Sequence, residues 1–267
     1  MPLIISISGV RGFVPEDLTP EVCLDLAKAF GTYLSGGKVV VGTDPRASSE
    51  FIKGIVFSGL LHTGCQVVDL GIAPTPTVGL LVRTLKAAGG IVITASHNPL
   101  PWNGLKFMRA DGVFLNEPQA QEFLKIYAGK KIREGRPGGV SFLPTALETH
   151  LKNILKVIKP TAIKRRRLKV ALDCCNGAGS IICPKLLKKL GCQVFAVNCD
   201  PHLPFPHPPE PIAENLGQLC QLVKVSRADI GFALDSDADR LAIVSEEGKA
   251  IGEELTLALA VRFVLEK

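Results

Sequence analysis

The sequence is poor in aromatic residues and lacks a long apolar run. Aromatic side chains make up 6% of the 267 residues. The longest candidate span, Val78–Thr94, is interrupted by Arg83 and Lys86, whereas a bilayer requires about 20 predominantly apolar residues. The apolar start of the chain has no basic residue ahead of it, as a signal peptide would. We therefore expect a cytoplasmic protein with no membrane partner.

Closely paired cysteines are also absent. The eight cysteines include no C-x-x-C pair, although structural zinc sites are usually built from such tightly spaced ligands. A chain of this length with 46% hydrophobic residues can bury a core without disulfides. We expect reduced thiols and no zinc site.

The charge of the chain is only mildly basic. A net charge of +6 suits an anionic substrate but is also common in proteins without one. The basic run Lys164–Arg167 has no interleaved aromatic residues, and we interpret it as a solvated linker face. No nucleic-acid partner is expected, and the sequence leaves the oligomeric state open.

Strand-like and helix-like patterns alternate along the chain. The first helix start is well marked, with Thr19 as N-cap, Pro20 at the first position and Glu21 in the first turn. The predicted strands are Leu3–Ser8, Lys38–Thr43, Cys65–Leu70, Gly90–Thr94, Leu105–Met108, Leu168–Leu172, Gln193–Val197, Ile230–Leu234 and Leu241–Val244. The predicted helices are Thr19–Leu34, Ser48–Thr63, Thr75–Leu85, Thr145–Ile158, Gly179–Leu190, Glu214–Lys224 and Glu254–Lys267. This alternation predicts an α/β protein with two consecutive three-layer α/β/α domains and mixed sheets.

Two irregular stretches interrupt this alternation. Glu134–Gly139 has the composition of a loop, and Asp200–Pro211 contains six prolines. We place a domain boundary near residue 150. Residues 1–150 then form one α/β domain, residues 151–250 a second, and residues 251–267 the first helix of a third.

A polar loop follows one of the predicted buried strands in the first domain. The run G-I-V-I-T-A-S-H-N-P over Gly90–Pro99 brings Ser96, His97 and Asn98 to the carboxyl end of that strand, where open α/β sheets bind ligands. Lys106 follows closely and can add an ammonium group. These are also ordinary turn residues. A hydrolase triad fits poorly, because no G-x-S-x-G elbow is present.

Three aspartates at alternate positions follow a strand in the second domain. Asp235, Asp237 and Asp239 would repel one another unless a cation lies among them. Oxygen-only ligands favour Mg²⁺ over zinc, and the offsets required by an EF-hand are missing. Arg240 adds a permanent cation suited to phosphate. A polar turn is the alternative, but a metal, an arginine and a strand-end serine form a coherent set for phosphoryl transfer.

The motifs taken together resemble a known enzyme family. They are S-G-V-R-G at Ser8–Gly12, G-T-D-P-R at Gly42–Arg46, T-A-S-H-N-P at Thr94–Pro99, N-G-L-K at Asn103–Lys106, F-P-H-P-P-E-P at Phe205–Pro211 with E-N-L at Glu214–Leu216, and D-S-D-A-D-R at Asp235–Arg240. They are similar to motifs of the α-D-phosphohexomutase superfamily, which includes phosphoglucomutase, phosphomannomutase and phosphoglucosamine mutase. The resemblance is specific because the motifs occur in family order over nearly the whole chain.

The resemblance implies a role for each motif residue. Ser96 is expected to be the phosphoserine, with one of its phosphate oxygens joining Asp235, Asp237 and Asp239 around Mg²⁺. Arg11 and Lys106 are expected to assist proton transfer at the reacting hydroxyl. The phosphate is expected to be surrounded by His97, Asn98 and Arg240. Arg46 is expected to have either a site role or a structural role in a salt bridge.

The family implies an isomerase that interconverts sugar 1-phosphates and 6-phosphates. Its substrate is a phosphorylated hexose, such as a phosphate of glucosamine, mannose or glucose. The expected cofactors are Mg²⁺ and a bisphosphorylated hexose, which acts as activator. An aspartyl-phosphate phosphatase, suggested by D-x-D at Asp235–Asp237, and a phosphosugar-binding module without turnover are the alternatives.

Two departures from the family pattern stand out. Ser236 occupies a position where many members have glycine. The sequence also shows neither the sugar-reading G-E-x-x-G-H loop nor the phosphate-clamp loop of full-size, four-domain members. We therefore expect a fragment or a short protein that has little or no mutase activity by itself.

Overall fold

The computed structural model describes residues 3–7, 9–158 and 160–266 and divides the chain into two α/β units. The first unit contains the chain up to Ala95 together with Leu100–His150. The second contains the loop Ser96–Pro99 and the chain from Leu151 onward. The serine loop, which we assigned to residues 1–150, therefore packs with residues of the second unit.

A mixed sheet forms the centre of the first unit. Its strands are β1 (Ile4–Ser6), β2 (Gly9–Phe13), β3 (Gly37–Thr43), β4 (Cys65–Ile72), β5 (Gly89–Ile93), β6 (Trp102–Arg109) and β7 (Val140–Phe142). They lie in the order β1-β2-β6-β5-β3-β4-β7. The neighbours β5, β3, β4 and β7 are parallel, whereas β1, β2, β6 and β5 pair in antiparallel fashion. The parallel strands place their carboxyl ends at one edge of the sheet, where ligands bind in such folds.

Helices cover both faces of this sheet because its central strands are apolar on both sides. The helices are α1 (Pro20–Tyr33), α2 (Ser49–His62), α3 (Thr75–Thr84), α4 (Glu117–Gly129) and α5 (Ala146–Val157), which spans the division at His150. Val39 and Val41 of β3 pack with side chains of α1, α2 and α4. Val40 packs on the opposite face, with side chains of α3 and the start of α5. Alternate residues of one strand thus contribute to two cores.

The second unit repeats this arrangement with a smaller mixed sheet. Its elements are α6 (Pro160–Arg166), β8 (Lys169–Asp173), α7 (Gly179–Lys189), β9 (Gln193–Val197), α8 (Gly217–Ser226), β10 (Ile230–Leu234), β11 (Leu241–Val244) and α9 (Glu253–Leu265). The strand order is β11-β10-β8-β9, with β8 parallel to both neighbours and β11 antiparallel to β10. Leu187 of α7 packs with Val170 and Leu172 on one face, and Leu219 of α8 packs with Ala171 on the other.

The predicted fold class is confirmed, and several elements agree closely with the sequence patterns. The start of α1 is as predicted, because the Thr19 hydroxyl accepts a hydrogen bond from the Val22 backbone N–H at 3.3 Å. Strands β9, β10 and β11 match their predicted bounds residue for residue. The loops predicted at Glu134–Gly139 and Asp200–Pro211 contain no helix or strand.

Some predicted elements were wrong in extent. The single strand predicted over Leu3–Ser8 ends at Ser6, and the separate strand β2 was missed. The helix predicted over Glu214–Lys224 is a 3-10 turn at Ala213–Asn215 followed by α8. Lys164–Arg166 belong to the last turn of α6 rather than to a linker. Ser8 and Lys267, which two predicted elements included, lie outside the described residues.

All eight cysteines are free thiols. Among the described residues, every helix is too short or too polar to traverse a bilayer. The cytoplasmic location stays a prediction.

Candidate active site

Ser96 is buried and held at both its side chain and its backbone. It is 2% exposed and has a φ of 51°, in the left-handed region that non-glycine residues rarely adopt. Its Oγ donates a hydrogen bond of 2.6 Å to Oδ2 of Asp235, which is 139 residues away in sequence. The Ser236 hydroxyl donates a bond of 2.7 Å to the backbone carbonyl of Ser96. These bonds join the two motifs that the sequence analysis singled out.

The three aspartates follow β10 and converge. Asp235 and Asp237 are buried, whereas Asp239 is exposed, and one carboxylate oxygen of each lies within 4.8 Å of the others. Oδ1 of Asp235 accepts the backbone N–H groups of Asp239 and Arg240, both at 3.1 Å. These bonds fold the loop back onto its first residue and bring the later carboxylates toward it.

The electrostatics of the cluster favour a cation. Burial raises the pKa of Asp235 well above its usual range, and the charges of Asp237 and Asp239 raise it further. Without a counter-charge, three carboxylates this close are mutually unfavourable. A divalent cation reverses this effect, and the small oxygen donors suit Mg²⁺. The residues present therefore fit a magnesium site.

Arg240 lies beside the aspartates but points toward other acids. Its Nη1 donates a hydrogen bond of 3.0 Å to Oε1 of Glu253 and lies 3.8 Å from Oε1 of Glu210. A cavity of about 540 Å³ adjoins it. The cavity is lined by Asp239, Arg240, Leu241, Glu253, Glu254, Thr256, Leu257 and Ala260. The guanidinium is thus placed at this cavity, next to the loop of the three aspartates.

The other predicted residues fall into two groups. His97 and Asn98 are half-buried in the loop of Ser96. Arg11 and Lys106 lie on the adjacent antiparallel strands β2 and β6 of the first unit, and Lys106 is 2% exposed. Arg11 is opposite Gly104, where a Cβ atom would come 2.9 Å from Cγ of Arg11. A glycine at this position lets the arginine side chain cross β6.

A buried polar network supports the end of β5, and the sequence indicated only its arginine, Arg46, as a candidate salt-bridge partner. Nε of Arg46 donates to Oδ2 of Asp44 at 2.9 Å, and both side chains are fully buried. The Thr94 hydroxyl donates to the same oxygen at 2.7 Å, and Nη1 of Arg46 donates to the Trp102 carbonyl at 2.8 Å. The contacts of Arg46 are thus those of a structural ion pair. The available signal for Asp44 and Thr94 was their position just after two neighbouring strands.

A second cluster that sequence reasoning missed lies at the carboxyl end of β8. Nε2 of His207 lies 3.2 Å from Oδ2 of Asp173, and its Nδ1 lies 2.8 Å from the Pro208 carbonyl. Burial by itself would lower the pKa of His207, but hydrogen bonds to Asp173 and to Cys175 outweigh it and raise the pKa to about 10. The histidine is therefore charged at neutral pH and fixes the proline-rich loop to the sheet.

The His207 pair should make stability depend on pH. Because the pKa rises from 6.5 to about 10 on folding, the stabilisation is complete below pH 6.5 and is lost as pH rises toward 10. We expect the free energy of unfolding to fall by about 1.5–3 kcal/mol over that range, as for a hydrogen bond to a charged group. Urea titrations at several pH values measure this. His207→Gln should remove the dependence and the exposed control His202→Gln should keep it; a parental slope in His207→Gln would contradict the assignment.

Comparison with models of known protein families shows to which family this chain belongs. Residues 4–134 match the model of phosphoglucomutase/phosphomannomutase, alpha/beta/alpha domain I. Residues 148–248 match the model of alpha/beta/alpha domain II of the same family. The chain belongs to the phosphoglucomutase/phosphomannomutase family. The resemblance expected from its motifs is confirmed.

Individual members of the phosphoglucomutase/phosphomannomutase family agree with this assignment. A protein of Methanopyrus kandleri named "Probable phosphoglucosamine mutase" is 41% identical over 263 residues, which cover 97% of this chain and 58% of the relative. A Thermococcus kodakarensis protein named "Phosphoglucomutase/phosphomannomutase" is 40% identical over 267 residues, covering 97% and 59%. The crystal structure of a phosphoglucomutase/phosphomannomutase family protein from Burkholderia thailandensis superposes with a TM-score of 0.84 at 30% identity, covering 98% and 60%. The chain thus spans under two thirds of the length of these family members.

Proposed function

We propose that this chain carries the phosphoserine and the metal site of a Mg²⁺-dependent phosphohexose mutase. The enzyme interconverts sugar 1-phosphates and 6-phosphates through a bisphosphorylated sugar. One observation carries the proposal: the Ser96 hydroxyl lies 2.6 Å from the first carboxylate of a three-aspartate cluster. A hydroxyl beside a cation-binding cluster is the arrangement that phosphoryl transfer requires, because the cation neutralises charge on the transferred group.

Ser96 is proposed to carry the phosphoryl group between the two sugar positions. Its O–P bond breaks as a sugar hydroxyl attacks phosphorus, and the bisphosphorylated sugar then turns and returns its other phosphoryl group to the serine oxygen. Asp235 orients the unphosphorylated hydroxyl by accepting its hydrogen bond. Burial of Ser96 and its hydrogen bonds keep the oxygen in a fixed position, and such positioning can supply about 7–11 kcal/mol of the barrier reduction.

The remaining residues are proposed to hold the phosphate and move protons. His97 and Asn98 directly follow Ser96 and are half-buried, so their polar atoms can bind phosphoryl oxygens. Arg240 offers a guanidinium beside Asp239. Arg11 and Lys106 are cations on neighbouring strands, and we assign them to the reacting sugar hydroxyl.

Asp235, Asp237 and Asp239 would hold Mg²⁺ together with an oxygen of phosphorylated Ser96. When bound, the cation supplies charge neutralisation for the phosphoryl group. The chain's own contribution is to keep two of the three carboxylates out of water, where their interaction with a cation is stronger.

Mg²⁺ should stabilise the protein through this cluster. At a concentration of about 100 times its dissociation constant, a ligand that binds only the folded state adds about 2.7 kcal/mol. We expect Asp237→Asn to abolish the Mg²⁺-dependent rise in melting temperature, because Asp237 is fully buried within the cluster. Asp229→Asn, at an exposed aspartate of the same unit, is the control and should keep it. An equal rise in both variants would place the metal elsewhere.

The sugar is proposed to be a hexose phosphate of glucosamine, mannose or glucose. Relatives at nearly equal identity, 41% and 40%, are named for phosphoglucosamine and for phosphoglucose/phosphomannose. We favour glucosamine or mannose phosphates because the stretch from Ala95 to Asn103, which includes Trp102, is similar to that of bacterial and archaeal mutases of this kind.

The activity assay must separate the mutase from its alternatives. The gene product that carries this sequence is incubated with Mg²⁺, a bisphosphorylated hexose activator and the 1-phosphate of each sugar. Formation of the 6-phosphate without stoichiometric inorganic phosphate supports the mutase. Release of inorganic phosphate alone would favour the aspartyl-phosphate phosphatase, and binding without turnover would favour the phosphosugar-binding module.

A protein that consists of these 267 residues alone should interconvert sugar phosphates slowly. The loops that the family is expected to use for reading the sugar and clamping its distal phosphate are not among them. A bisphosphorylated sugar that must turn while bound needs a closed, water-excluding site. We expect Mg²⁺ binding but little mutase activity, with slow loss of phosphate from Ser96 to water. Turnover within about tenfold of a full-length relative, a gap of only about 1.4 kcal/mol, would contradict this.

A further inference from the structure

Ser236, between two of the clustered aspartates, is fully buried and makes a specific contact. Its Oγ donates a hydrogen bond of 2.7 Å to the backbone carbonyl of Ser96. Glycine, which the family resemblance implies at this position in many members, has no hydroxyl to make this bond. The contact therefore depends on the serine hydroxyl that this chain has at the position.

Ser236 is itself anchored from another element. Its carbonyl accepts the Ala178 backbone N–H at 2.8 Å, next to the start of α7. A Cβ added to Gly177 would come 2.6 Å from the same carbonyl oxygen, so the two backbones pack closely. The hydroxyl of Ser236 is therefore presented from a backbone fixed against the start of α7.

The hydrogen bond from Ser96 to Asp235 and the one from Ser236 to Ser96 respond differently to phosphorylation. The bond from Ser96 Oγ to Asp235 needs the hydroxyl proton, which is absent once the oxygen is esterified. The bond from Ser236 ends on the backbone carbonyl and needs no proton of Ser96. Ser96 also holds a φ of 51°, a conformation that persists in a non-glycine residue only where its surroundings enforce it.

We propose that Ser236 is a positioning residue: its hydroxyl keeps the backbone of Ser96 in place in both the free and the phosphorylated state. This inference rests on the proposed function for its role in catalysis. The hydroxyl is fully buried and is directed at a backbone carbonyl, so we assign it no contact with the sugar. Its loss should therefore lower kcat and leave KM unchanged.

Hydrogen exchange tests the positioning without requiring any turnover. Amide exchange is followed by mass spectrometry in peptides that span Ser96–Asn98, for the parent, Ser236→Ala and Ser236→Gly. We expect exchange in this loop to be at least about threefold faster in both variants, as for the loss of one net hydrogen bond. Ser180→Ala is the matched control, since its buried hydroxyl has no hydrogen-bond partner among the described residues, and it should exchange like the parent. Unchanged exchange in both Ser236 variants would overturn the proposal.

Kinetics of the full gene product test the catalytic part. We expect Ser236→Ala to lower kcat about tenfold with KM within twofold, because small misplacement of a reacting group is costly. A lower melting temperature with an unchanged kcat at 25 °C would mean a merely structural role and would overturn the proposal. If the parent interconverts no sugar phosphate, the proposed function fails, and hydrogen exchange still decides whether Ser236 holds the loop. Ser236→Gly serves if the alanine variant does not fold.

Discussion

Ser96→Ala should lower the mutase turnover of the gene product by about 10³-fold or more. The substitution removes the oxygen proposed to carry the phosphoryl group, so the proposed covalent route would be lost, and deleting a catalytic nucleophile typically has an effect of this order or larger. The side chain is small and buried, so the variant should fold. Steady-state assays with Mg²⁺ and a bisphosphorylated activator measure the loss.

The control for this variant is Ser180→Ala, at another buried serine of the same unit. It should keep parental turnover. The phosphoryl-carrier assignment would be abandoned if Ser96→Ala retained turnover within about tenfold of the parent, a difference of only about 1.4 kcal/mol.

Arg46→Ala should destabilise the first unit by about 3–5 kcal/mol, the usual cost of leaving a buried charge without its partner. The carboxylate of Asp44 is fully buried, and the guanidinium of Arg46 is its ion-pair partner at 2.9 Å. Asp44 also accepts the Thr94 hydroxyl at 2.7 Å, so the loss should loosen the chain just before Ser96. The free energy of unfolding from urea titration measures the effect.

The chain contains a matched pair for comparison. Arg109 and Asp111 also lie two residues apart and form an ion pair of 2.6 Å, but both side chains are partly or largely exposed. Arg109→Ala should change stability far less, because exposed pairs are weak. If Arg46→Ala and Arg109→Ala lowered the free energy of unfolding equally, burial of the Asp44–Arg46 pair would not explain its contribution to stability.

The sequence could predict the elements that have a strong local signal. Thr19 and Pro20 mark the start of α1, and the apolar runs of β10 and β11 are bounded by polar residues. The same holds for the two site loops, because Ser96 and the aspartates each follow an apolar strand. A polar loop after a buried strand is a local pattern with a chemical meaning.

Some elements were missed because a residue in them is required by a contact with a distant part of the chain. Strand β2 begins at Gly9 and also contains Gly12, and glycines in a short segment suggest a loop. In the structure Gly9 has a φ of 133°. A Cβ there would come 2.3 Å from the Leu105 carbonyl, so the glycine serves the pairing of β2 with β6. Helix α4 was also missed, although the sequence at its start contains a recognisable helix-capping pattern. Asn116 and Gln119 form a capping box at its start.

The supporting residues of the site were the least predictable. Asp44, Asp173 and His207 act through partners that lie near them only in the folded chain. Ser236 was noticed as a departure from the family pattern, yet its bond to the Ser96 carbonyl spans 140 residues. Local sequence patterns do not show which residues so far apart in the chain come into contact. These roles could therefore be recognised only in the folded structure.

Mapping the phosphate on the purified gene product tests the central claim most directly. The protein is incubated with Mg²⁺ and a bisphosphorylated hexose, and intact mass and peptide fragmentation then locate any phosphoryl group. We predict a single phosphate on Ser96 in the parent and none in Ser96→Ala. A phosphate on Asp235 would instead identify an aspartyl-phosphate enzyme, and an unmodified Ser96 in a parent that interconverts sugar phosphates would contradict the account.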